Sequence, residues 1–156
     1  RSLDQLYAHV TTRWVFHVED DWRFDGTGGF IEDSMDVLHD NPNCFQVHLR
    51  YREKSLHPAH PELFRSSRRQ APYRRLVWDM YGSGPYMWHG FSLGPGLRRL
   101  GHLRMLGAME AYGSELHVQD AFQSMGLWAA ALERGVIEHT GDEWSERARW
   151  EQETQT

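Results

Sequence analysis

The segment Trp14-Val15-Phe16-His17-Val18-Glu19-Asp20-Asp21-Trp22 joins a short apolar run to three consecutive carboxylates. Residues 14–18 are mostly β-branched or aromatic, which predicts a buried strand. A carboxylate held near a buried strand needs a cation or several hydrogen-bond donors, so these acids indicate a divalent ion or a catalytic site. Mg²⁺ and Mn²⁺ suit such oxygen ligands and commonly bridge them to substrate phosphates. A solvated acidic turn is the alternative, but Trp22 and Phe24 would hold an apolar wall against the acids.

Composition and charge limit the class of protein. The chain has 156 residues, 40% hydrophobic and 13% aromatic, which suits one compact domain with a real core. Its net charge of −5 argues against a nucleic-acid binder, because phosphate backbones select basic surfaces. The single cysteine, Cys44, excludes an internal disulfide and favours a reducing, cytoplasmic compartment. We expect a soluble protein without a signal peptide or a transmembrane segment.

Hydrophobic periodicity predicts alternating helices and strands in the first half. Residues 2–12 carry apolar side chains at helical spacing after a possible Ser2 cap, and residues 30–39 repeat that pattern. In residues 45–49 apolar and polar side chains alternate, which predicts a strand with one wet or functional face. The order helix, strand, helix, strand predicts an α/β layered domain with a largely parallel sheet.

Residues 52–70 lose this periodicity, which is typical of a functional or poorly ordered loop. Its basic run, residues 65–69, suits a solvated surface, with phosphate binding as the alternative. Residues 73–81 and 86–93 predict a hairpin joined through Gly82-Ser83-Gly84-Pro85.

The second half ends in further helices and strands. A helix face is predicted from Leu97 to Leu106, and a second helix over 114–125 with Ser114 as its cap. Strands are predicted over 128–132 and 136–139. We expect the domain to span residues 1–145, followed by a charged tail, residues 146–156.

The acidic segment resembles the strand and motif of nucleotide-sugar glycosyltransferases of the GT-A fold, particularly family-2-like bacterial enzymes. In that family the motif binds a divalent metal that holds the diphosphate of the sugar donor. The motif here is Glu19-Asp20-Asp21, with Glu in place of the first Asp. The resemblance implies that Asp21 is the direct metal ligand and that Glu19 lies nearer the sugar or ribose.

Three further segments match the family in the expected order. Residues 90–99 are similar to the strand and loop that face the donor sugar and the acceptor. Residues 115–126 resemble the helix whose early carboxylate is the catalytic base in inverting members. Glu138-His139-Thr140-Gly141 is similar to a late His-x-Gly element, in which the histidine supplies another metal ligand or touches the diphosphate.

The resemblance implies a set of site residues. Glu115 is the expected catalytic base, with Asp120 in reserve and Glu110 third; the alternative for Glu115 is an ordinary first-turn acid. Asp21 and His139 are the expected ligands of Mn²⁺ or Mg²⁺, although a strand-end histidine also serves structural hydrogen bonds. Stacking on sugars or core packing are the two expectations for the tryptophans, including Trp144. The expected substrate contacts are Glu19, Asp20, Trp22, Trp88 and Arg98.

The function implied is metal-dependent transfer of a sugar from a nucleotide-diphosphate donor to a hydroxyl of a glycan or other acceptor, with inversion. A non-catalytic GT-A-like binding module and a metal-dependent phosphohydrolase are the alternatives. In the family, a nucleotide-binding βαβ region precedes the acidic motif, whereas about a dozen residues precede it here. We therefore expect a truncated GT-A-like (Rossmann-like) sheet with flanking helices, whose exposed strand edges favour a homo-oligomer.

Overall fold

A computed structural model describes residues 3–24, 26, 28–50, 59–76 and 90–140. The strands are β1 (Trp14–His17), β2 (Trp22–Phe24), β3 (Cys44–His48), β4 (Phe64–Arg65), β5 (Pro72–Arg75), β6 (Gly96–Arg99), β7 (Trp128–Leu132) and β8 (Ile137–His139). The helices are α1 (Leu3–Ala8), α2 (Phe30–Asp40), α3 (Leu100–Leu106) and α4 (Glu115–Ser124), with a 3₁₀ helix over Met109–Tyr112. The expected Ser2 cap, the turn at 82–85, Trp88, Trp144 and the tail 146–156 lie outside these residues.

Six strands form one mixed sheet in the order β1-β6-β3-β7-β5-β4. β3 and β7 are parallel, while the other neighbouring strands of this sheet pair antiparallel. β2 and β8 form a separate antiparallel pair. The α/β class is therefore confirmed. The expectation of a largely parallel sheet is wrong, because β6 runs antiparallel between β1 and β3 and β5 runs antiparallel to β7.

Strand β6 begins where the sequence pattern predicted a helix face. Leu97 lies in β6, and only Leu100, Leu103 and Leu106 lie buried in α3. A Cβ added to Gly96 would lie 2.6 Å from the carbonyl oxygen of Val47, so glycine permits the close approach of β6 to β3. This tertiary pairing is not visible in the periodicity of the segment.

Two hydrophobic clusters hold helices against the sheet. In the first, the rings of Phe45 and Phe122 stack with centroids 4.2 Å apart, and Phe91 packs beside both. This cluster includes the apolar residues of α3 and α4. The second cluster joins Val37 and Leu38 of α2 to residues of β3, β7 and β8. Both helical predictions, over 30–39 and 114–125, are confirmed within one or two residues at each end.

Strand β3 is buried along its whole length, including the polar positions of its alternating pattern. Gln46 donates through Nε2 to the carbonyl oxygen of Ser92 at 3.1 Å. The ring of His48 lies 2.8 Å, Nε2 to O, from the carbonyl of Gly90. The polar face of β3 is thus covered by the 90–95 loop and is not wet, and this loop reaches the site described below.

The basic run 65–69 is held by acids of α2. Asp36 accepts hydrogen bonds from the backbone amides of Arg68 and Arg69, at 3.1 and 2.7 Å. Asp33 accepts from Nε of Arg69 at 2.5 Å. These contacts give the segment a structural role and fix the approach to β5.

The longest helix of the described ranges, α2, has 11 residues, against about 20 for a membrane-spanning helix. Within those ranges no helix has both the length and the apolar character to cross a membrane.

Candidate functional site

A cavity of about 240 Å³ lies where β2, β3, β5 and β7 meet the 90–95 loop and the start of α4. We call it the polar cavity, because its wall carries charged groups of both signs beside the apolar surfaces of Trp22 and Leu93. Its ionisable lining side chains are Glu19, His48, Arg50, Arg74, Glu115 and Glu133. Ligand sites are usually concave surfaces that combine apolar area with a few convergent polar groups, and this cavity has that character.

Two residues of the acidic segment reach the polar cavity. Glu19 follows β1, and its Oε2 lies 3.4 Å from Nε1 of Trp22, which donates to it. The indole of Trp22 forms part of the wall, and the guanidinium carbon of Arg50 lies 5.5 Å from its ring centroid. The indole therefore presents an apolar face flanked by a carboxylate and a cation, an arrangement suited to a polar ring.

Asp21 and His139 come together because β2 pairs with β8. Trp22 faces His139 in that register, and Asp21 precedes Trp22 directly. Oδ2 of Asp21 lies 2.8 Å from Nε2 of His139. The ring of His139 also packs against Trp22, with centroids 4.7 Å apart. The predicted ligand pair thus forms against the Trp22 indole, and neither Asp21 nor His139 lines the polar cavity.

This pair provides one carboxylate oxygen and one imidazole nitrogen, a donor set that suits Mn²⁺. Among the residues the structure describes, no group of three or more His, Cys, Asp or Glu side chains could hold a metal ion. An ion bound by Asp21 and His139 would therefore take its other ligands from phosphate oxygens or water, as hard divalent ions commonly do. The two residues fit an ion delivered with a phosphorylated substrate.

Glu115 is the first residue of α4, which Ser114 caps by accepting a hydrogen bond from the backbone amide of His117. The Ser114 cap is therefore confirmed. Oε1 of Glu115 accepts from the backbone amide of Leu93 at 3.0 Å. Its other oxygen has no hydrogen-bond partner within the described residues. The carboxylate is thus fixed through one oxygen while the second remains available at the polar cavity.

Three other predicted residues lie away from the polar cavity. Asp20 is exposed in the turn between β1 and β2. Asp120 is exposed on α4; five residues rotate a helix by about 500°, which turns its side chain well away from that of Glu115. Glu110 lines a neighbouring groove instead. The geometry thus favours Glu115 over both alternatives as the carboxylate of this site.

Arg98 lies in β6 and is fully buried, so its side chain supports the site from behind. Its guanidinium donates to the carbonyl oxygens of Ser92 at 2.7 Å and Gly94 at 3.0 Å, and to the hydroxyl of Tyr7 at 2.6 Å. Burial lowers the pKa of Arg98, while Tyr7, Glu115 and Glu19 act in the opposite direction. Arg98 fixes the 92–94 backbone, which in turn forms one wall of the polar cavity.

The hydroxyl of Tyr7 continues this network to His17, whose Nδ1 lies 2.8 Å away. Burial, together with the charge of Arg98, lowers the pKa of His17 to about 4. Burial likewise raises the pKa of Tyr7. The network therefore holds a neutral histidine and a neutral phenol around one buried guanidinium at neutral pH.

The sequence analysis did not predict the ion pair between Arg74 and Glu133, which lines another part of the polar cavity. Arg74 of β5 donates to Glu133 through Nε at 2.7 Å and Nη2 at 3.0 Å. The alternation in β3 had marked His48 and Arg50 only as members of a wet or functional face. Glu133 carried no signal beyond a turn, and its partner is 59 residues away in the chain.

No protein-family model, no curated protein and no solved structure matches this chain. The glycosyltransferase resemblance accordingly remains a hypothesis carried by four short segments. Three of them, residues 14–22, 90–99 and 115–126, contribute side chains or backbone to the polar cavity. The fourth, residues 138–141, contributes His139 beside Trp22.

Proposed function

We propose that the protein is a metal-dependent glycosyltransferase of the GT-A type, which moves a sugar from a nucleotide-diphosphate donor to an acceptor hydroxyl. One observation carries this proposal: Glu19 and Trp22 from one segment that resembles the family, and Glu115 from a second, line a single cavity. The Asp21–His139 pair beside Trp22 supports the metal dependence. Arg98 supports the proposal as a positioning residue behind the 92–94 backbone.

The residues suggest a single displacement with inversion. Glu115 takes the proton of the acceptor hydroxyl while the acceptor oxygen bonds to the anomeric carbon of the donor sugar. The bond from that carbon to the phosphate oxygen breaks, and its electron pair leaves with the nucleoside diphosphate. A divalent ion at Asp21 and His139 would neutralise the charge that develops on the leaving group. Glu19 and Trp22 would orient the donor sugar.

The GT-A assignment belongs to the same proposal. β1 lies at one end of the six-stranded order, so its outer edge offers backbone groups to a further strand. Phe16 of β1 is 37% exposed, and its ring packs against Phe24 and Phe30. We propose that this edge accepts a nucleotide-binding region; a second copy of the chain, forming a homo-oligomer, is the other occupant.

A cytoplasmic location is likewise proposed. Cys44 is fully buried in β3, and burial raises the pKa of its thiol to about 12. Such a thiol is inert towards oxidation and exchange, and it serves here as a small apolar core residue. A protein with this use of cysteine is compatible with a reducing compartment.

Calorimetric titration of uridine, guanosine and thymidine diphosphates, each with and without Mn²⁺, tests the function. We expect one nucleotide to bind only when the metal is present. Asp21→Ala should weaken this metal-linked binding by about 10- to 100-fold, because it removes one of two protein ligands. Asp20→Ala is the matched control, since it removes a neighbouring exposed carboxylate and should leave binding unchanged.

If both variants lost nucleotide affinity equally, the negative charge of the segment, and not a metal ligand at position 21, would attract the complex of metal and nucleotide. Binding that needs no metal would contradict the proposed role of Asp21 and His139. Hydrolysis of a phosphoester without an acceptor would favour the phosphohydrolase alternative, and absence of nucleotide binding would favour a non-catalytic module.

A further inference from the structure

A second concavity, of about 340 Å³, adjoins the polar cavity and shares Leu93 and Glu115 with it. We call it the apolar groove, because its inner wall is formed by apolar side chains from four parts of the chain. These residues are Leu3, Phe91, Leu93, Met109 and Val118. The groove and the cavity thus share one carboxylate, that of Glu115.

The charged residues of the apolar groove are all acidic. Both oxygens of Asp4 are used within the fold, accepting from the backbone amides of Met109 at 2.8 Å and Glu110 at 3.0 Å. Glu110 is exposed at the rim, and Glu115 stands at the junction. No Lys, Arg or His is among the described residues that line the groove. An anionic occupant would meet the carboxylates of Glu110 and Glu115 without a cationic side chain among the described lining residues, so the side chains of the groove favour a neutral molecule.

The size and lining of the groove suit an apolar body. An apolar cavity of about 150 Å³ can hold a benzene molecule, and this groove is larger. Covering Leu3 and Leu93, which are only half-buried, would remove apolar surface from water, which is the main favourable term for such binding. A ring system or a short aliphatic body is the chemistry that this wall would recognise.

The carboxylate of Glu115 favours a ligand that carries a hydroxyl, because a hydroxyl can donate a hydrogen bond to it. Its Oε1 accepts from the amide of Leu93, its second oxygen has no hydrogen-bond partner within the described residues, and the side chain lines both the groove and the polar cavity. A hydroxyl on the inner end of a molecule in the groove would reach this carboxylate. The same molecule would face the sugar held beside Trp22 in the polar cavity.

We propose that the apolar groove is the acceptor subsite and that the acceptor is an alcohol with a neutral apolar body, aromatic or alicyclic. This inference rests on the proposed glycosyl transfer. The acceptor hydroxyl gives its proton to Glu115, its oxygen bonds to the anomeric carbon, and the nucleoside diphosphate leaves with the electron pair of the broken bond. The polar cavity then takes the donor sugar, and the groove selects what the sugar is attached to.

Binding to the intact chain tests the groove independently of transfer. The probes are 2-naphthalenemethanol, 2-naphthoate with the same ring but a negative charge, and glycerol as a neutral polar alcohol. Saturation-transfer NMR with titration should show that naphthalenemethanol binds at least about tenfold more tightly than either of the others. Equal affinity for naphthalenemethanol and naphthoate, or for naphthalenemethanol and glycerol, would overturn the proposal.

Two variants at one exposed rim position locate the binding. Glu110→Trp fills the groove with a large ring and should weaken naphthalenemethanol binding by about tenfold or more. Glu110→Gln removes the charge without adding bulk and should leave the affinity for the alcohol within about twofold. Both variants keep the backbone amide that donates to Asp4, so they preserve the α1 contact. An unchanged affinity in Glu110→Trp would place the probe elsewhere and refute the assignment.

A transfer assay separates the failure of this inference from that of the glycosyltransferase proposal. If nucleotide diphosphates bind with Mn²⁺ but Glu110→Trp lowers kcat/KM equally for glycerol and naphthalenemethanol, the groove assignment fails and the transferase stands. If the alcohol binds in the groove as expected but no nucleotide binds, the subsite stands and the transfer proposal fails.

Discussion

The carboxylates on two walls of the polar cavity have different hydrogen-bond partners. On the β1–β2 side, Glu19 accepts a long hydrogen bond from Trp22, and Asp21 meets His139, a group that can lose its proton or bind a metal. On the β5–β7 side, Glu133 receives two hydrogen bonds from Arg74, whose guanidinium stays charged at any working pH. One wall has acids with replaceable partners, and the other has an acid that is already neutralised.

This difference assigns separate roles to acids of similar type within one cavity. A carboxylate in a bidentate pair with arginine has both oxygens engaged, so Glu133 is poorly suited to take a proton or bind a metal. Glu115, at the start of α4, has one oxygen that accepts from the Leu93 amide and one without a hydrogen-bond partner in the described residues. We therefore expect chemistry at Glu115 and the Asp21–His139 pair, and shape and charge balance from Arg74 and Glu133.

The largest expected effect comes from comparing Glu115→Gln with Glu133→Gln. Glu115→Gln keeps the acceptor for the Leu93 amide but removes the base, so transfer should fall by about 10² to 10⁴-fold while nucleotide affinity is retained. Glu133→Gln should change transfer by about threefold at most, the scale of an ordinary substitution outside the chemistry. Steady-state rates and nucleotide titrations on both variants provide the measurement.

If Glu133→Gln lowered transfer more than Glu115→Gln, the comparison would fail, because the acid paired with Arg74 would then be the functional one. If both variants retain full transfer, the base lies outside this cavity. The fold of each variant is checked by its thermal midpoint, which should stay near that of the parent chain.

The next effect concerns the loop that both walls share. Arg98→Met removes, from a fully buried position, the donors to the carbonyls of Ser92 and Gly94 and to the Tyr7 hydroxyl, so we expect a loss of about 2 to 4 kcal/mol in the free energy of unfolding. Arg104→Met is the control: Arg104 also donates to a backbone carbonyl, that of Val10, but it is exposed. Its loss should stay within about 1 kcal/mol.

Urea titration measures both values. Equal losses would mean that burial of Arg98 adds nothing to its hydrogen bonds. Because the 92–94 backbone also fixes Glu115, the Arg98 variant should lower kcat more than it raises KM for the donor, a pattern that general destabilisation alone does not produce.

The elements that the sequence predicted correctly are those whose signal is local. Helix α2 follows an apolar face between clear stop signals, and α4 begins at the Ser114 cap. The acids after β1 were visible because they follow an apolar run, although the expected burial of that run is wrong, since only Val15 of β1 is buried. Pairing partners were not visible: β6 depends on the approach of Gly96 to β3, and its antiparallel direction cannot be read from its own residues.

The same limit applies to the site. Glu19, Trp22 and Glu115 belonged to recognisable segments, and the structure brings them into one cavity. Arg74 and Glu133 meet only because β5 pairs with β7, a contact between distant parts of the chain. Arg98 was predicted as a substrate contact from its segment, but its burial follows from the position of β6 inside the sheet.

The smallest expected effect compares an ion pair on each side of the site. Arg23 and Glu138 join β2 to β8 at 2.5 Å, but the Arg23 side chain is 65% exposed. Arg74 and Glu133 are exposed by only 16% and 33% and are joined by two hydrogen bonds. Double-mutant cycles to alanine should give at most about 1 kcal/mol for the exposed pair. The coupling free energy of the Arg74–Glu133 pair should be larger and should fall less as salt is raised, because burial limits screening. Equal couplings with equal salt dependence would remove the distinction between the two walls, since Glu133 would then be as available to solvent and substrate as the acids beside Trp22.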